Sequence, residues 1–246
     1  MTRITPDNFA EFSPDLWKHS SEANKFGENA VVLPEKLSVD LKNLVKNQQD
    51  SGYSTEIIQL SDVDAQEKYQ NNCYVYHRVP DNMLGSTLYP LNQLKTINSD
   101  LYKLYAEGYR TRQKLMQTQV PVLNCLWNDT LFFSPTHPQK LYDLAKECGI
   151  ASQWRFKRFY ACKIGEDINL EKAVIFYRVG EQMDEIVYRP AKEVRIAELN
   201  RVPELTRAYY ALVSKKGEDL FPYQFVPQLL YKGEVSISNV KIIEIT

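Results

Sequence analysis

The chain has 246 residues, 43% apolar and 25% charged, with 30 basic side chains against 31 acidic ones and a formal net charge of −1. That balance suits a soluble globular protein with a sizeable core, in one large domain or two small ones. It argues against unspecific nucleic-acid binding through a basic surface and leaves room only for a local basic patch.

The four cysteines, Cys73, Cys125, Cys148 and Cys162, show no CxxC and no metal-ligand spacing, so no metal is expected. Three of them sit in apolar runs as small buried hydrophobes, which suits a reducing compartment. No apolar run approaches a membrane span, and the first residues, MTRITPDNFAEFSPD, lack a signal-peptide core. The expected location is cytoplasmic with no membrane partner, although export without a cleavable signal would leave the same pattern.

Residues 1 to about 30 read as a polar, irregular arm with isolated aromatics at Phe9, Phe12 and Trp17. Leu37, Leu41, Leu44 and Val45 recur at helical spacing behind Pro34 and predict a helix that the Ser51-Gly52 pair stops. These pieces form an N-terminal segment over 1–52, and the main domain takes 53–246. Strands are predicted over 55–60, 73–79, 120–127, 130–133, 153–164, 173–179, 226–231 and 240–245, with a polar turn or short helix over 62–70.

Helices are predicted after Ser99, with Leu101, Leu104, Tyr105 and Leu115 facing inward and Gly108 weakening the middle; from Pro138 to Gly149; and from Pro203 to Gly217. Strands are many and helices interrupt them without a βαβ rhythm. The expected fold is therefore α+β: a mixed, mostly antiparallel sheet, whole or split, with flanking helices.

The stretch Asn124 to Pro138, NCLWNDTLFFSPTHP, crowds polar residues around the apolar run Leu131-Phe132-Phe133. Convergent polar groups on a strand rim are how a pocket orients a ligand, which makes Asn128, Asp129, Ser134 and His137 candidates. The bland readings stand beside them: Asn128 and Asp129 also suit a plain turn, and His137 suits the N-cap of the helix that Pro138 opens.

His77, at the end of a predicted strand, is a candidate acid or base. Arg78 beside it suits a phosphate or carboxylate, although neighbours on a strand face opposite ways and need not share a pocket. Tyr89 and Asn92 form a weaker pair, Tyr89 being able to stack on a base or a nicotinamide ring. Signatures of Rossmann, P-loop, zinc-protease, α/β-hydrolase and EF-hand chemistry are absent.

Four pieces in order, Tyr76-His77-Arg78-Val79, Leu88-Tyr89-Pro90-Leu91-Asn92, Leu123 to Asp129 (LNCLWND) and Ser134-Pro135-Thr136-His137-Pro138, resemble a family of uncharacterised bacterial proteins with the same motif order, closing on a strand like Leu229 to Gly233. The resemblance spans roughly 73–246 and implies no activity.

A more distant likeness, to DarT-like ADP-ribosyltransferases, rests on a first strand ending in His77 and a last strand like Val240 to Ile245. It implies NAD as cofactor, bound by His77, Arg78, Tyr89, Asn128 and Ser134, and a protein or nucleic-acid acceptor of unknown identity. The position where such enzymes carry a catalytic Glu holds Gln228, so Glu234 or Asp129 would have to substitute. Two other readings are a non-catalytic module that binds a ligand or a protein, and a hydrolase using His137 and Asp129 as an acid-base pair.

Overall fold

The computed structural model describes residues 3–4, 31–32, 73–83, 85–110, 113, 115–179 and 185–246. The helix expected at Leu37 to Val45, the strand at 55–60, the polar segment at 62–70 and the boundary near residue 52 all lie outside the described residues. From the N-terminal arm, β1 (Arg3–Ile4) and β2 (Val31–Val32) form a two-residue antiparallel pair.

The body follows in the order β3 (Tyr74–Arg78), β4 (Thr87–Leu88), α1 (Leu91–Ile97), α2 (Ser99–Ala106), β5 (Gln119–Val120), β6 (Cys125–Leu126), β7 (Thr130–Phe133) and α3 (Pro138–Glu147). It continues through β8 (Arg158–Lys163), β9 (Ala173–Val179), β10 (Glu185–Pro190), α4 (Glu204–Lys216), β11 (Gln228–Lys232), β12 (Val235–Ser236) and β13 (Lys241–Glu244). Every pairing between these strands is antiparallel.

Two sheets carry the body, one ordered β10-β9-β11-β7 and one ordered β13-β8-β3. The runs Leu131-Phe132-Phe133, Ala173 to Phe176 and Leu229-Leu230-Tyr231 lack polar alternation because both faces of the four-stranded sheet are covered. One face sends Val174, Phe176 and Leu230 into a core shared with Trp127, Leu141, Leu144, Tyr209 and Tyr210, beneath α3 and α4. The other sends Leu131, Phe133, Ile175 and Leu229 against Val75, Tyr160 and Cys162 of the three-stranded sheet. The expected α+β class with a split sheet is what forms.

Among the described residues one backbone bridge joins the two packed sheets. Tyr76 and Ser134 exchange both backbone hydrogen bonds at 2.8 Å as an isolated antiparallel bridge, and the ladder between β3 and β7 goes no further. The gap beyond that bridge positions the site.

Helix ends follow the sequence signals. Pro138 starts α3 with His137 as its cap, and Gly149 (φ +71°) ends it; Pro203 precedes α4, and Gly217 (φ +66°) stops it. A left-handed φ is cheap only without a Cβ, which is why glycine stands at both stops.

Four local expectations are corrected. The cap of α2 is Asn98, whose Oδ1 accepts from the Leu101 amide at 2.9 Å, rather than Ser99. That helix ends at Ala106, ahead of Gly108, and Leu115 falls in a separate 3₁₀ turn. The strand expected over 120–127 is broken by the 3₁₀ turn Pro121–Leu123 and by Asn124 at φ +46° into the tight hairpin of β5 and β6. The strand expected over 153–164 begins only at Arg158, because residues 151–153 make a 3₁₀ turn. Among the described residues no helix is long and apolar enough to cross a membrane.

Candidate functional site

Beyond the Tyr76–Ser134 bridge lies a cleft of about 180 Å³. Tyr76, His77 and Arg78 of β3 form one side, with Thr130, Leu131 and Phe132 of β7 and the adjoining Ser134. Thr87, Leu88 and Tyr89 contribute from around β4, Leu91 and Leu94 from α1, Leu101 and Tyr105 from α2. Tyr109, Asn128, Tyr223 and Gln228 add to the wall, with Pro80, Asn82 and Met83 from the segment after β3. Among the described residues that line the cleft, Arg78 is the only one with a charged side chain and none is Asp or Glu.

His77 spans the gap. Its Nδ1 lies 2.6 Å from the Phe132 carbonyl oxygen. A carbonyl only accepts, so Nδ1 carries the proton and donates, leaving Nε2 as a lone-pair acceptor. Burial pushes the imidazole down to about 4; the Phe132 carbonyl pulls it back up in part, and the Arg78 charge pushes it lower. His77 is therefore neutral near pH 7. Arg78 lies with its guanidinium 4.6 Å from the Phe156 ring centroid, a cation–π contact that holds it along the cleft rim.

Both His77 and Arg78 line the cleft although they are strand neighbours, because they occupy the last two positions of β3, where the β7 ladder has already stopped.

Asn128 is 1% exposed, and neither its Oδ1 nor its Nδ2 has a hydrogen-bond partner among the described residues. Gln228, 3% exposed, donates weakly from Nε2 to the Val226 carbonyl at 3.3 Å. Three residues before it, Phe225 adopts φ +64°, a left-handed backbone that a bulky side chain rarely takes, braced by an edge contact with the Tyr209 ring at 6.1 Å. The wall that carries Gln228 is thus set by packing rather than by local preference.

Six of the candidate residues come together here: His77, Arg78, Tyr89, Asn128, Ser134 and Gln228. Ser134 is present but committed, its hydroxyl donating to the Thr136 carbonyl at 2.9 Å while accepting from the Thr136 amide at 3.1 Å.

Asp129 and His137, the candidate acid-base pair, are not among the residues that line the cleft. Asp129 Oδ1 accepts from Asn92 Nδ2 and Oδ2 from the Leu126 amide, both at 2.8 Å, so the carboxylate ties α1 to the turn before β7. His137 caps α3, its Nδ1 accepting from the Gln139 amide at 3.1 Å. Burial lowers its pKa, with Lys140 adding to the effect, and its ring meets Tyr76 edge-on at 4.7 Å. Glu234 is exposed and also lies outside the lining.

The crowded Ser134 to His137 segment is mostly a fastening. Fully buried Thr136 donates to the Leu199 carbonyl at 2.9 Å, and the His137 amide donates to Asn200 Oδ1 at 2.9 Å. Sequence reasoning missed Leu91, Leu94, Tyr109 and Tyr223 as cleft residues. Helical spacing had turned Tyr105 inward, but nothing local to the other four marks which cavity they face.

Among the described residues no group of three His, Cys, Asp or Glu could hold a metal ion. No family model, curated protein or solved structure matches this chain.

Proposed function

We propose that this protein binds a small planar ligand of the nucleotide class, whose ring enters the cleft between β3 and β7. The observation that carries this is convergence: a neutral histidine, an arginine, two buried amides and several tyrosines, drawn from separate elements, face one cavity with an apolar body. A few placed polar groups on an apolar wall are the usual form of a small-molecule site.

Size narrows the ligand. An engineered cavity of about 150 Å³ holds one benzene, so about 180 Å³ encloses one ring with a small substituent. A ribose or phosphate attached to that ring sits at the rim, where Arg78 is the cation within reach. NAD, presenting its nicotinamide, is the first candidate. The four free cysteines agree with a reducing, cytoplasmic setting.

Transfer of ADP-ribose from NAD is a second reading, favoured by His77, Arg78 and Tyr89 sharing one cleft. It calls for an anion beside the reacting ribose. Gln228 is neutral, Asp129 is held by Asn92 and Leu126, and Glu234 is exposed, so simple binding accounts for these residues better. A hydrolase built on His137 and Asp129 has less support, since both side chains are committed to helix and turn.

The test is a thermal-shift titration with NAD, ADP-ribose, nicotinamide and mononucleotides, on the wild type and on His77→Ala. A ligand that binds the folded state raises the melting temperature by mass action. The proposal expects a rise with nicotinamide-bearing ligands that His77→Ala reduces; no rise with any of them overturns it. Free nicotinamide released from NAD by the wild type would move the transferase reading ahead.

A further inference from the structure

Among the described residues that line this cleft, Asn128 carries a buried amide that makes no side-chain hydrogen bond within the fold. It stands in the 3₁₀ turn Trp127–Asp129, and that turn closes without it. Asp129 Oδ2 accepts from the Leu126 amide, and Thr130 Oγ1 donates to the Trp127 carbonyl at 2.6 Å. Asn128 lines the cleft at 1% exposure, and both polar atoms of its carboxamide are buried and unpartnered among the described residues. A buried amide without partners destabilises the fold that carries it, so its presence on a cavity wall points to a group that arrives from outside.

The carboxamide offers one acceptor, Oδ1, beside one donor, Nδ2. Its complement is a planar edge with a donor beside an acceptor, closing a ring of two hydrogen bonds; the same logic lets asparagine read the donor–acceptor edge of adenine in duplex DNA. His77 Nε2, neutral and lone-paired, adds a second acceptor to the wall. A carboxylate offers acceptors only and meets lone pairs at Oδ1 and at Nε2.

We infer that Asn128 is the specificity-determining residue of the cleft, and that its ligand carries an un-ionised amide-type edge, a primary carboxamide or a ring lactam, rather than the corresponding acid. This rests on the cleft being a ligand site and deepens that reading by naming the chemistry of the enclosed ring. The preference runs against net charge, because Arg78 alone would favour the acid.

The experiment is calorimetric titration of the whole chain with nicotinamide, 2-pyridone, nicotinate and benzamidine, on the wild type, Asn128→Leu and Asn128→Asp at pH 8. The wild type binds the two amide probes at least tenfold more tightly than nicotinate. Asn128→Leu, which removes the orphaned amide at similar volume, melts no lower than the wild type and loses at least tenfold for the amide probes. Asn128→Asp, an acceptor-only side chain, gains benzamidine, whose edge carries donors alone. Equal binding of nicotinamide and nicotinate by the wild type, or amide affinity unchanged in Asn128→Leu, overturns the inference and leaves the cleft as a site. No binding of any probe by the wild type overturns both.

Discussion

The imidazole of His77 donates from Nδ1 to the carbonyl of Phe132 across 2.6 Å, joining β3 to β7 just past the place where their backbone ladder ends. A side chain thus bridges the mouth of the split between two sheets, and it does so in its neutral form. Folded His77 titrates at about 4 because burial disfavours the imidazolium.

Unfolded, the same group titrates at about 6.5. Between those values the unfolded chain takes up a proton that the folded chain refuses. The contribution of His77 is therefore fully present above about pH 6.5 and is lost as pH falls towards about 4, by on the order of 3 kcal/mol at most. His77→Gln keeps an N–H for Phe132 and does not titrate. Urea unfolding at pH 7 and pH 4.5 should show a smaller acid loss in His77→Gln than in the wild type, and equal losses would contradict the assignment.

Asp129 is a structural carboxylate, holding Asn92 of α1 with one oxygen and the Leu126 amide with the other. Asp129→Ala leaves both donors without an acceptor and should lower stability by about 1–3 kcal/mol in denaturant unfolding. Because α1 supplies Leu91 and Leu94 to the cleft, ligand affinity should fall with it. An Asp129→Ala protein as stable as the wild type would remove this account of the residue.

For His137 the expectation runs the other way. Asparagine is among the best helix N-caps, so His137→Asn should keep stability within about 1 kcal/mol. Ligand shifts should be unchanged, since His137 lies outside the cleft. A selective loss of binding in a folded His137→Asn would return this residue to the site.

Gln228→Glu places a carboxyl at a position 3% exposed. Burial raises such a group's pKa, so stability is retained at low pH and lost as pH rises through the ordinary carboxylate range. Thermal melts should show a larger deficit against wild type at pH 7.5 than at pH 5. The binding reading also expects this variant to leave NAD intact; nicotinamide release by Gln228→Glu would show that one carboxylate completes a transferase site.

The segments whose local signals agree with their surroundings were readable in advance. The unbroken apolar run at Leu131 to Phe133 marks a strand covered on both faces, and the Pro138 and Gly149 pair brackets α3 because both act through their own backbone. The hairpin around Asn124 was not readable as such, since its β-prone residues are turned by Pro121 and a left-handed asparagine within one short stretch.

In the site, the sequence pointed to polar density at Asn124 to Pro138 but could not divide it. Asn128 faces the cleft while Asp129, next to it, faces the fold, and a 3₁₀ turn decides which is which. Arg78 and His77 share a wall where β3, still paired with β8, is no longer bridged to β7, a fact of tertiary pairing.

The most direct measurement is a proton–nitrogen NMR titration of the side-chain amides with nicotinamide, the Asn128 pair being assigned through its loss in Asn128→Leu. The account predicts that the Asn128 Nδ2 protons move downfield and slow their exchange with water as the ligand saturates, while the Asn92 pair, held by Asp129, stays in place. An Asn128 signal that does not move at ligand concentrations that saturate the thermal shift would contradict it.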